Sequence, residues 1–219
     1  MDVAQFLHEF WNARGAIWDG FQMTVAISAL SIFFGTLLGL FVGLALVYSW
    51  LPFRFLVRIY VDFIRGTPVF VLVLASFYIL SVIGIQLTAF QAGILAITAF
   101  CSTHVGEMVR GALAAIPRGQ SEAAMAIGLT FRQTFQSVLM PQALRQILPT
   151  WVNAATEMVK ASTLLSVIGV AELLLATQQV ISRNFMSLEF YFLAGFIYFL
   201  IDFSIERLGR FVEKKLAYC

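Results

Sequence analysis

Residues 20–53 read GFQMTVAISALSIFFGTLLGLFVGLALVYSWLPF and contain no Asp, Glu, Lys or Arg. About 20 apolar residues of helix cross a hydrocarbon core about 30 Å thick, so this run is one span and its exit. A second charge-free run, residues 66–106, is too long for one span and must turn inside itself. Gly84 to Gly93 (GIQLTAFQAG), with its Gln and Thr side chains, is the place for that turn. Composition agrees: 60% hydrophobic residues, 22 Phe and a mean hydropathy of +0.88 exclude an ordinary soluble domain. The sequence predicts an all-α, polytopic integral membrane protein. Its roughly five transmembrane helices fall at about 20–48, 67–85, 89–113, 147–170 and 189–208.

Five spans put the two ends of the chain on opposite sides, and Lys and Arg favour cytoplasmic loops. With the amino terminus outside, the inside set is Arg54, Arg58, Arg65, Arg110, Arg118, Arg132, Arg145, Arg207, Arg210, Lys214 and Lys215. Only Arg14 and Arg183 are then outside, and Lys160 lies within a span. The carboxy terminus is therefore expected in the cytoplasm. Residues 1–19 carry Asp2, Glu9 and Asp19 against one base, Arg14, which does not suit a cleavable signal sequence. They are expected to form an external amphipathic arm. Cys101 and Cys219 lack metal-ligand spacing, and no metal site is expected. Gly35, Gly39 and Gly43, four apart, would let a neighbouring backbone approach closely, either within the chain or at a subunit interface.

Between the third and fourth spans, on the cytoplasmic side, lies EAAMAIGLTFRQTFQSVLMP, residues 122–141. It neither spans the bilayer nor reads as a short loop. Pro117-Arg118-Gly119 predicts a turn, Ser121 a helix cap, and Glu122 an acid in the first turn, where the helix dipole favours it. Gly128 permits a bend, and a second short helix, about 130–139, runs into Pro141. The small face formed by Ala123 and Ala124 suits docking into a groove of another protein; the other physical reading is a helix resting on headgroups.

Glu122-Ala123-Ala124, then Gly128, then Val138-Leu139-Met140-Pro141 resembles the EAA signature of binding-protein-dependent ABC importer permeases. Val138 and Met140 stand where that family usually has Ile and Leu. Arg65-Gly66-Thr67-Pro68 resembles the polar amino acid permease subfamily. So does Lys160 followed by Thr163-Leu164-Leu165-Ser166-Val167-Ile168-Gly169-Val170. The resemblance runs in order over residues 20–215, which it implies are an importer transmembrane domain with a coupling loop at 117–141. It further implies that Glu122, Ala123, Ala124 and Gly128 dock the loop into a cytoplasmic ATPase subunit. The expected partners are two ATPases per complex, a second permease of the same or a paralogous chain, and an extracytoplasmic substrate-binding protein. Membrane lipid and a polar amino acid complete the set; no nucleic acid is expected. The chain has no Gly-Lys dipeptide and so no Walker A loop. ATP and Mg are expected only in the partner, with no catalytic residue and no cofactor here. The implied location is the bacterial cytoplasmic (inner) membrane.

Ionisable residues at membrane depth are costly and usually face a partner or an aqueous cavity. His104 and Glu107 share one helix face, as do Glu157 and Lys160, with Asn153 one turn before Glu157. Counting helical rise from the inner ends, Glu107 and Glu157 lie roughly 10–12 Å deep and His104 and Lys160 roughly 15–17 Å. Two readings stay open. These five residues line the translocation path, or Glu157 pairs with Lys160 and Glu107 with Arg110 to make the spans insertable. Ala161 stands where the subfamily commonly has an acid, and Glu157 where a neutral residue is usual. Extra acids favour a cationic amino acid; His104 and Lys160 weigh against it. Asp202 is expected to snorkel or pair with Arg207, and Glu172 to sit near the outer mouth. The leading expectation is a permease for polar amino acids. The alternatives are an importer for an opine or a sulfur compound, or a proton-coupled secondary carrier.

Overall fold

The structure, a computed structural model, describes residues 3–217. Cys219 and Asp2 lie outside the described residues. The described chain is helical: α1 (Val3–Tyr48), α2 (Leu51–Gly66), α3 (Val69–Val82), α4 (Ala89–Ala115), α5 (Arg118–Ala126), α6 (Phe131–Ile168), α7 (Leu173–Asn184) and α8 (Ser187–Ala217). α1, α4 and α8 are each long and apolar enough to cross a membrane. α2 with α3, and α6 with α7, meet the same test as bent pairs, at 107° and 51°. The total is consistent with five spans.

The second span differs from expectation. α3 is short for a span, and α2, which carries Arg54, Arg58, Asp62 and Arg65, meets it across a sharp break of 107°. Pro68 disfavours helix at the residue before it, and Thr67 is extended at φ −100°, ψ 130°. The Arg65-Gly66-Thr67-Pro68 motif is therefore the elbow itself. The turn inside the long charge-free run falls at Ile83–Thr88, where Gly84 takes φ +91°. Thr88 and Gln91 then open α4 with a reciprocal capping box. Gly93 is not part of the turn. It lies inside α4 under Leu165, whose Cδ1 would stand 2.5 Å from an added Cβ.

The second short helix expected at 130–139 does not stop at Pro141. α6 runs from Phe131 through Pro141 and Pro149 to Ile168. A wide π turn at Phe135–Leu139 offsets the hydrogen-bond ladder just where Pro141 has no N–H to give. The fourth span is thus the far end of a helix that begins within the 122–141 segment.

The centre of the fold is the packing of α1 on α4. An added Cβ would meet Cys101 Cβ at Gly35, Val105 Cβ at Gly39 and Val109 Cβ at Gly43, each at 2.5 Å. The glycine stripe serves packing within the chain. In lipid, where apolar surface alone does not drive helices together, such close backbone contact supplies the dispersion that does. Trp151 of α6 adds a polar tie, its indole N–H donating to Thr36 Oγ1 at 2.9 Å. On the other side, Phe33, Phe41, Phe192 and Phe199 are exposed, as a lipid-facing surface requires.

α1 continues without a break from residue 3, so the arm and the first span are one rod. α7 packs against it. Glu172, fully buried, caps α7 by accepting from Leu174 N at 3.0 Å and Leu175 N at 2.9 Å. It also accepts from the Tyr198 hydroxyl at 2.6 Å, while Leu173 N donates to Thr24 Oγ1. Glu172 fastens α1, α7 and α8 together and is closed to any ligand.

Candidate functional site: the coupling turn and the charged spans

α5 begins at Arg118, three residues before the cap expected at Ser121. Pro117 is the N-cap residue, at φ −58° and ψ 135°. The helix closes on Gly128 in a Schellman motif. Leu129 N donates to Ala124 O at 3.1 Å and Gly128 N to Met125 O at 2.9 Å, with Gly128 at φ +84°. Side chains are rarely tolerated there, so the bend expected at Gly128 has a backbone cause. Thr130 and Gln133 form a second capping box that starts α6.

Glu122 and Ala123 face outward on this turn, as do Met125, Ile127 and Phe131. Ala124 does not: it is 4% exposed, turned inward where α5 packs on the π turn of α6. A small residue there lets the two arms of the bend close on each other. Gln142 Nε2 donates across the bend to Gln120 Oε1 at 3.2 Å. Tyr48, at the end of α1, meets both Phe131 and Phe135 edge-on, with ring centroids 5.3 and 5.9 Å away.

Glu107 is the hub of a charged cluster. Arg110 donates to its Oε2 through Nε at 3.0 Å and Nη2 at 2.7 Å, the pairing the sequence suggested. Sequence reasoning missed Arg58 of α2, which donates to Oε1 at 2.5 Å, and Arg65 at 3.9 Å from Oε2. The signal was present: Arg58, Asp62 and Arg65 fall on one face of α2 at i, i+4 and i+7. This cluster ties the α2–α3 elbow to α4.

Lys160 pairs with Asp202 of α8, Nζ to Oδ2 at 3.3 Å, and not with Glu157. That also corrects Asp202, whose expected partner Arg207 lies instead over the Phe203 ring. Asn153, Glu157 and Lys160 form an exposed stripe along α6. His104 stands half-buried on α4, its ring 4.3 Å from that of Phe100 between centroids, with Nδ1 3.0 Å from Phe100 O. A carbonyl only accepts, so Nδ1 carries the hydrogen of this bond. Polar side chains thus stand exposed on helices long and apolar enough to cross a membrane, where contact with hydrocarbon would be costly.

Comparison with known proteins agrees with this architecture. The family model described as "Binding-protein-dependent transport system inner membrane component" matches residues 16–218. The chain is 32% identical over 199 residues to the probable amino-acid ABC transporter permease protein YckA of Bacillus subtilis, covering 91% of this chain and 88% of that one. It is 30% identical over 208 residues to the glutamine transport system permease protein GlnP of Escherichia coli, covering 94% and 95%. Among solved structures, an amino acid ABC transporter crystallised with histidines superposes with a TM-score of 0.88 at 30% identity, over 98% of this chain and 99% of that one. From its matched span and its helical plan alike, the chain belongs to the family of binding-protein-dependent transport system inner membrane components.

Proposed function

We propose that this chain is the permease of an ATP-driven importer and forms the translocation path for polar amino acids. It is a multi-pass protein of the bacterial inner membrane and not itself catalytic; in its family ATP hydrolysis belongs to a separate subunit. The observation that carries the reading is the coupling turn. An exposed Glu122-Ala123 pair and exposed Met125, Ile127 and Phe131 surround a glycine-locked bend at one end of a membrane-crossing helix. Relatives at similar identity are named for amino acids, arginine and glutamine. One named for L-cystine keeps a sulfur-bearing solute within the same reading.

In this proposal residues 117–141 face the cytoplasm, the amino terminus is outside and the carboxy terminus inside. Two ATPase subunits each take up one such turn, and a second permease, the same or a paralogous chain, closes the path. A binding protein delivers substrate from outside. ATP binding draws the ATPases together, the turns move with them and the path opens outward; hydrolysis resets it. The chain works as a two-state gate whose equilibrium its partners bias. Glu122 makes the polar contact and Ala123 the close approach, while Ala124 and Gly128 set the shape of the turn. Asn153, Glu157, Lys160 and His104 are the path candidates. Glu107 holds the elbow.

The test is uptake by cells carrying Glu122→Lys or Gly128→Asp. Both variants are expected to insert at normal levels and to lose uptake together with ATPase co-purification. Normal uptake in both would remove the coupling assignment.

A further inference from the structure

The charges within the spans are not equally engaged. Glu107 is taken by Arg58 and Arg110, and Lys160 by Asp202. Glu157, exposed on the same face of α6, makes no hydrogen bond or ion pair among the described residues. From this asymmetry we propose that Glu157 reads the charge of the substrate, and that the path favours an amino acid with a cationic side chain. The proposal rests on the importer reading and narrows it.

The sequence left this question balanced, because Lys160 offered a cation to set against the acid. The structure removes that balance. Asp202 holds Lys160 at 3.3 Å, so the pair presents little net charge to a solute in the path. What remains unpaired on the stripe is the Glu157 carboxylate, with the Asn153 amide one turn before it. An unpaired carboxylate within a membrane-crossing helix carries a large desolvation cost unless a counter-charge or water meets it. A guanidinium or ammonium group supplies that counter-charge and donates to the carboxylate, with the Asn153 amide oxygen as a second acceptor one turn away. A glutamate side chain would meet Glu157 as a like charge, and a glutamine side chain would leave it unneutralised.

The experiment is equilibrium binding of radiolabelled arginine, glutamine and glutamate to the purified permease–ATPase complex without binding protein. Uptake of the same three into vesicles, with binding protein and ATP, runs in parallel. Wild type is expected to bind arginine in preference to the other two. Glu157→Gln should weaken arginine binding by about tenfold or more, since truncating one partner of a desolvated charge pair leaves the other uncompensated. Glu157→Asp should recover part of it. Asp202→Asn, which frees Lys160, should also weaken arginine binding, and Asp202→Asn with Lys160→Gln should restore it. Co-purification of the ATPase reports that each variant is folded. Tighter binding of glutamine or glutamate, unchanged arginine binding in Glu157→Gln, or no binding of any of the three while uptake proceeds would each overturn the charge-reading role. Absence of ATP-driven uptake of any amino acid would instead overturn the importer reading beneath it.

Discussion

Tyr48 closes α1 against the start of α6, its ring edge-on to Phe131 with 5.3 Å between centroids and 79° between planes. The last turn of the first span is therefore seated on the bend that follows α5. Edge-to-face pairs contribute about 0.5–1.5 kcal/mol beyond their area, and Tyr48 makes a second with Phe135. Tyr48→Ala is expected to leave ATPase association intact while lowering solute moved per ATP. Parallel ATPase and uptake assays in proteoliposomes check this, and an unchanged ratio removes Tyr48 from the transmission.

The α1–α4 seam leaves no room. A Cβ at Gly39 would meet Val105 Cβ at 2.5 Å and Ser102 O at 2.8 Å, while one at Gly15 meets nothing within 4 Å. Gly39→Leu should cost about 1–3 kcal/mol or more by overpacking and lower the thermal midpoint of the detergent-purified protein. Gly15→Ala should hold or raise it, by up to about 1 kcal/mol of helix propensity. Equal midpoints would contradict the seam.

Glu172 has more donors than an amide can serve. Leu174 N and the Tyr198 hydroxyl share Oε2, and Leu175 N takes Oε1. Glu172→Gln keeps one acceptor oxygen and strands at least one buried donor, at about 1–3 kcal/mol. Tyr198→Phe should cost less, because the carboxylate keeps both backbone donors. Thermal midpoints of the two variants, ranked in that order, check the lock; Tyr198→Phe as the more damaging change would refute it.

In the Glu107 cluster the distances rank the partners. Arg58 and Arg110 lie at 2.5 and 2.7 Å, Arg65 at 3.9 Å. Glu107→Gln removes the centre, leaves the arginines facing one another, and should destabilise by about 2 kcal/mol or more. Arg65→Gln should cost well under 1 kcal/mol, as partly exposed pairs do. The reverse order, read by proteolysis at the α2–α3 elbow, would place the anchor elsewhere.

Much of this arrangement was legible from residue type alone. Charge-free runs give the spans, Gly84 gives the turn, and Gly35, Gly39 and Gly43 give a close-packed face. The helix boundaries were less legible because proline has more than one meaning. Pro117 caps α5, Pro68 breaks the second span into an elbow, and Pro141 sits harmlessly in the turn after a π bulge. Their local sequences do not distinguish these outcomes; the neighbouring hydrogen-bond ladder does. The charge pairs were least legible. Lys160 finds Asp202 only because α6 and α8 pack in one register, set where Gly209 lies against Val152. No local spacing contains that register. Ala124 illustrates the same limit: its type suits an interface, but the bend behind it decides that the interface is internal.

α6 joins the bend to the charged stripe without interruption. Phe131 and Glu157 are separated by about 39 Å of helix at 1.5 Å per residue. If the far end is held at the Gly169 turn, a tilt of only about 5° sweeps Phe131 through several ångströms while Glu157 shifts by about a third as much, as rise along the helix dictates. The helix is thus a lever with unequal arms. A large stroke at the membrane surface arrives at the carboxylate as a small displacement, on the scale of making or breaking a single ion contact.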